Sequence, residues 1–167
     1  MKISKHFYIG ILLLTSISCA SQSGLTESKA NVIESIITDS KYGVYNRTFS
    51  NEDLNQLDIK LEDLNFWNPC KYKLERENGL LSDKEISFIN KQFKNLESVS
   101  IESNSPNLKF QKDSENTRLS FISLPILFRN DNYAVYYSMQ RYGGQINLLK
   151  KENNKWTKYC SYLVWIE

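Results

Sequence analysis

Apolar residues follow three rhythms along the chain, and each rhythm predicts a different element. The first is an unbroken run, Phe7–Leu14, behind Lys2 and Lys5 and ahead of Thr15, Ser16 and Ser18. It is about half as long as the roughly 20 residues a helix needs to cross a bilayer core. A positive start, a short apolar run and a small-residue exit predict a secretory signal peptide. Residues 20–30 are small and polar and read as a flexible tether.

The second rhythm is helical. Val32, Ile33, Ile36 and Ile37 recur at spacings of three and four, which predicts a helix over 29–38 that Gly43 ends. Ser50 or Asn51 is a helix cap, with Glu52 and Asp53 favourable in the first turn. Leu54, Leu57, Leu61 and Leu64 extend an apolar stripe, although 57–61 also alternates as a strand does. Asn68-Pro69-Cys70 predicts a break, because the residue before proline avoids helical backbone. Lys71–Leu81 then reads as a short strand or loop. Ser82 with Glu85 three residues on predicts a capping box, followed by a helix through Ile86, Ile89 and Phe93 that ends near Asn95.

The third rhythm is alternation. Val99 and Ile101 alternate with polar residues, and 102–117 reads as loop with one short strand. Leu119–Phe128 is an apolar strand whose Pro125 implies an edge or a bulge. Tyr133–Gln140, Ile146–Lys150 and Trp156–Ile166 are strands, with turns at 129–132, at Gly143-Gly144 and at 151–155. Helices first and strands afterwards predict an α+β fold, with N-terminal helices laid on one face of a C-terminal antiparallel β-meander of about four strands. The expected organisation is signal peptide 1–18, a tether 19–30, whose lipidation is implied by the lipobox-like Ser16-Ile17-Ser18-Cys19, and a single domain 31–167.

Composition agrees with that plan: 41% hydrophobic and 13% aromatic residues suit a packed domain. Charge changes the picture once the signal is removed. The 21 Lys+Arg include Lys2 and Lys5, so the mature chain carries 19 against its 19 Asp+Glu. A neutral chain has no global field to attract nucleic acid, and no basic stripe carries interleaved aromatics.

The chemistry is sparse. The single histidine is His6, inside the signal, so the mature chain has no Ser-His or Cys-His catalysis and no histidine metal ligand. Cys70 and Cys160 lack CxxC spacing. Outside the cytoplasm they are either a disulfide or two buried thiols, and the sequence leaves both open. No phosphate-binding glycine motif is present. No cofactor and no metal are expected. Glu52 with Asp53, Glu62 with Asp63, and Glu75 with Glu77 are the candidate carboxylate pairs for hydrolysis, against their plainer role as caps and solvated faces. Asp131 is a calcium candidate that a simple turn also explains. Tyr136, Tyr142, Trp156, Tyr159 and Trp165 crowd the strands and make a candidate binding surface, since tyrosine and tryptophan pair apolar area with a polar tip.

Two resemblances complete the reading. Ser16-Ile17-Ser18-Cys19 resembles a bacterial lipobox, although an aliphatic residue is usual where Ser16 stands. The resemblance implies that Cys19 becomes the lipidated first residue. Further on, Ile122-Ser123-Leu124-Pro125, Tyr133-Ala134-Val135-Tyr136-Tyr137-Ser138, Gly143-Gly144, Lys150-Lys151-Glu152-Asn153, Lys155-Trp156 and Trp165 resemble a group of exported or lipid-anchored proteins of Bacteroidota-type bacteria. That match covers under a third of the chain and brings no activity with it. Members often carry cysteines near the double glycine. This chain has Arg141-Tyr142 there, so no role of those cysteines carries over. Together these features lead to the expectation of a non-enzymatic, membrane-anchored interaction module in the cell envelope, with a protein or glycan partner and no nucleic acid. A periplasmic immunity or inhibitor protein is one version. The alternatives are a small carboxylate hydrolase acting on glycans and a purely structural envelope protein.

Overall fold

The computed structural model describes residues 25–56, 68–109 and 119–166. Residues 1–24, with the signal and Cys19, lie outside the described residues, as do Glu62 and Asp63. Among the described residues, four helices lie in the first 95 positions and a seven-stranded sheet takes most of the rest. The fold is α+β.

Helix α1 (Glu27–Asp39) buries Val32, Ile33, Ile36 and Ile37. It begins inside the stretch read as tether. Thr26 caps it by accepting the Lys29 amide at 3.4 Å, and Leu25 packs against the core. Helix α2 (Asn51–Gln56) is capped by Ser50, whose hydroxyl accepts the Asp53 amide at 3.2 Å. The Asp53 carboxylate accepts the Ser50 amide in return, at 2.7 Å. The stripe Leu57, Leu61 and Leu64 lies outside the described residues. Helix α4 (Asp83–Lys94) carries the full Ser82–Glu85 capping box and buries Ile89 and Phe93.

The break at Pro69 is instead the start of a helix, α3 (Asn68–Asn78). Proline is tolerated in the first turn, where its missing N–H has no intrahelical partner to lose. Gly79 ends the helix at φ +82°, in the left-handed region that glycine enters freely. Two buried residues, Cys70 and Leu74, hold α3 to the core. They lie four apart and leave no apolar stripe for the sequence to show.

The sheet order is β2-β1-β3-β5-β6-β7, with β4 also paired to β5. The expected meander is present as β3 (Leu119–Ile122), β4 (Ile126–Phe128), β5 (Tyr133–Gln140), β6 (Gly143–Glu152) and β7 (Lys155–Ile166), all paired antiparallel. Strands β3 and β4 follow one another along the same edge of β5. At Ser123-Leu124-Pro125 one extra residue is accommodated, and the Ser123 hydroxyl accepts the Tyr137 amide at 3.0 Å in place of a ladder bond. Gly143-Gly144 is not the turn but the start of β6. Arg141 and Tyr142 form the two-residue connection, since Gln140 already pairs with Gly143. The β6–β7 turn is Asn153-Asn154, both at positive φ (49° and 62°), as the right-handed twist of a tight hairpin requires.

Two short strands extend the meander into a mixed sheet. Strand β1 (Gly43–Tyr45) runs parallel to β3 on one side and to β2 (Leu108–Lys109) on the other. Gly43 therefore does not terminate α1. It lets neighbouring strands approach: a Cβ there would lie 2.4 Å from Lys109 Cγ and 3.1 Å from Leu119 Cδ2.

Register assigns the layers. Ala134, Tyr136 and Ser138 share one face of β5, and Tyr133, Val135 and Tyr137 share the other. All six are buried. Helix α1 lies on the Tyr136 face, where the Ser35 hydroxyl donates to the Trp156 carbonyl at 3.3 Å. Helix α3 lies on the opposite face, joined by the Cys70–Cys160 disulfide (Cα–Cα 5.6 Å) to the residue that pairs with Leu148. The expectation of helices on one face is thus corrected, because a central strand buried on both sides needs two covers.

Two stability predictions follow from this layout. Gly43→Ala lowers the urea-unfolding free energy by about 1–3 kcal/mol, the range for overpacking. The paired variant Cys70→Ala/Cys160→Ala lowers it by about 2–5 kcal/mol, since the bridge closes a 90-residue separation. Addition of a thiol reductant then has no further effect on that variant.

Candidate functional site

The periodicity that buries four apolar residues of α1 turns its polar residues the other way. Asn31, Glu34, Ser35, Thr38 and Asp39 fall on one side of the helix, and the β6–β7 hairpin stands beside them. Between them lies an open groove of about 730 Å³. Its α1 wall carries Glu34 and Asp39; its hairpin wall carries Lys151, Asn154, Lys155 and Thr157. Among the described residues, no ion pair joins these acids to these lysines. The Lys151 ammonium lies 5.8 Å from the Trp156 ring centroid. Lys150, its neighbour, pairs instead with Glu152 at 3.0 Å.

The five aromatic candidates do not assemble into one surface. Tyr136 is only 9% exposed and Trp156 7%, so both belong to the packing under α1. Burial, with the nearby Asp39 charge, pushes the Tyr136 phenol above its ordinary range. Tyr142 is 59% exposed at the β5–β6 turn, where the Arg141 guanidinium lies 5.3 Å from its ring centroid. The Trp165 side chain lies outside the described residues. Tyr159 faces α3: Lys73 donates to its carbonyl at 2.9 Å and lies 4.3 Å from its ring centroid, while its phenol donates to Glu77. Trp156 and Tyr159 therefore serve different helices on opposite sides of the sheet.

The candidate carboxylates are similarly dispersed. Glu52 is exposed. Partial burial pushes Asp53 up, but hydrogen bonds from Ser50 and Arg47 outweigh it and hold the carboxyl below its usual range. Glu75 accepts the Leu81 amide at 3.1 Å and lies 3.6 Å from Lys71, whereas Glu77 turns to Tyr159. Glu85 is also held low, the Ser82 and Arg129 bonds outweighing its partial burial. Asp131 is exposed in a turn where Arg129, Asn130 and Asp131 all have φ between 53° and 58°. No group of three or more potential metal ligands occurs among the described residues.

No family model matches the chain, and no curated protein and no solved structure is significantly similar to it.

A polar network lies elsewhere on the Tyr136 face. Buried Asn147 donates to Ser138 at 2.8 Å and accepts from Ser161 at 2.7 Å. Its bonds are internal to the sheet, so it braces the strands and offers no free group. Among the described residues, the groove is a place where exposed polar groups of opposite sign face a common space. Its signal was in the sequence, in the polar half of the α1 period, but its second wall sits more than a hundred residues away.

Partial burial and the Glu77 carboxylate push the Tyr159 phenol up to about 12. Because the folded value is raised, the neutral phenol favours the native state fully below the ordinary tyrosine value of about 10. That contribution is lost as pH rises through about 12. Absorbance titration of phenolate is expected to show this delayed ionisation in the native protein. Glu77→Gln is expected to return it toward 10.

Proposed function

We propose that the protein is an exported, non-enzymatic binding module, held at a membrane of the cell envelope by lipid on Cys19, with its ligand site between α1 and the β6–β7 hairpin. The groove carries this reading: two carboxylates and two ammonium groups face one space without bridging to each other. Charges left in that state are available to a ligand. One further observation supports the compartment. A disulfide between α3 and β7 persists where the surroundings are oxidising. Acyl chains on Cys19 supply membrane affinity at about 0.8 kcal/mol per buried methylene.

Carboxylate hydrolysis is a second reading, favoured by Glu34 and Asp39 sharing the groove. A general acid needs a raised pKa. Asp53 and Glu85 are both shifted down, by hydrogen bonds that favour their ionised forms, and lie outside the groove. The mature chain also brings no histidine to assist.

Metabolic labelling with a clickable palmitate analogue tests the anchor. The expected result is label on the wild-type protein and recovery with membranes. Cys19→Ser is expected to lose the label and leave the folded domain soluble. Release of unlabelled wild-type protein into the medium overturns the anchored reading.

A further inference from the structure

We propose that the groove between α1 and the β6–β7 hairpin takes an oligosaccharide. This rests on the binding-module reading and adds the class of ligand. Small-molecule pockets are usually lined by apolar side chains with a few polar groups among them. Here the proportions are reversed. Trp156 is the single apolar side chain of the lining and is 7% exposed, too little for a stacking platform. An apolar ligand, or a peptide that needs side-chain pockets, finds no apolar side chain there but the buried Trp156.

The charge layout narrows the ligand further. Glu34 and Asp39 on one wall accept hydrogen bonds only, and Lys151 and Lys155 on the other donate only. A polyanion is repelled by the first pair and a polycation by the second. A hydroxyl group both donates and accepts, so a ring bearing several hydroxyls satisfies both walls at once. Asn31 and Asn154, with carboxamides that do both, suit the same partner. Binding then rests on charge-assisted hydrogen bonds in an open, wet groove. The affinity is set by a handful of such bonds.

The test uses the mature lipidated chain in detergent micelles. It is screened on an array of neutral hexose and N-acetylhexosamine oligosaccharides, and hits are measured by calorimetry. Asn31, Glu34 and Lys155 are exposed, so their replacement leaves the core intact. The expected result is binding that weakens about tenfold or more in each of Glu34→Ala and Lys155→Ala, the loss for one charge-assisted bond, and about fivefold in Asn31→Ala, the loss for one neutral bond. Tyr142→Ala, in the turn at the other end of β6, is expected to stay within about twofold of wild type. Oligosaccharide binding that ignores the groove substitutions overturns the proposal. A parallel array of short peptides separates the two claims. Groove-dependent peptide binding with no bound sugar overturns the ligand class and keeps the binding module. No groove-dependent ligand on either array overturns both. Cleavage of a bound oligosaccharide keeps the ligand class and overturns the non-enzymatic reading.

Discussion

Strand β5 is buried on both faces from Tyr133 to Ser138, and the arrangement of the other elements answers that constraint. A strand in this position presents two apolar surfaces to water, each of which needs a cover. Helix α1 covers the Tyr136 face and α3 the Tyr133 face. At about 25 cal/mol per Å² of apolar surface removed from water, burying several large side chains on each face is the dominant favourable term. The disulfide fixes the less apolar of the two covers. Among the described side chains of α3, Cys70 and Leu74 alone are fully buried, so a covalent tie from Cys70 to β7 compensates for a thin apolar contact. The groove is a consequence of the same layering: once the apolar side of α1 is committed to the sheet, its polar side faces the hairpin that continues β6 into β7.

Where the backbone departs from regular pairing, side chains take over its hydrogen bonds. Ser123 does so at the junction of β3 and β4. Thr48 does so beside β1, accepting the Val99 amide at 2.9 Å and donating to the Glu97 carbonyl at 3.1 Å. Arg129 is the most heavily used. Its guanidinium donates to the carbonyls of Asn78, Gly79 and Leu80 at 2.8–3.0 Å and to Glu85 at 3.1 Å. It thereby closes the end of α3 and meets the capping box of α4 from a turn fifty residues further on. Arg129 does this at φ 53°, a region unfavourable for a side chain with a Cβ. Four charge-assisted bonds from one fork of donors offset that local cost.

The candidate site was legible in half. The α1 stripe Val32, Ile33, Ile36 and Ile37 is a period of 3.6, and the polar complement of that period is the α1 wall. The partner wall was readable only as a polar hairpin turn near Lys151–Lys155, with nothing to say which helix it meets. The aromatic surface failed for a related reason. Alternation along β5 and β7 tells which residues share a face, but exposure depends on what is laid over that face. Among the described candidates, Tyr136 and Trp156 lie under α1, Tyr159 lies against α3, and Tyr142 is exposed in its turn.

Local chemistry settled several features from the sequence alone. The capping box at Ser82–Glu85, the cap at Ser50, the buried face of α1, and the strands of the meander all depend on residues within a turn or two of one another. Composition alone likewise limits the histidines to one, His6. Tertiary structure decided whatever depended on distant partners. Helix α3 forms across a proline because its first turn needs no amide there and because Cys160, ninety residues on, holds Cys70. Strand β1 exists because β2 and β3 flank it, and Gly43 carries no side chain because Lys109 and Leu119 occupy that space. Three residues are too few to signal a strand on their own; their pairing is non-local, and only the folded chain brings the partners within hydrogen-bonding reach.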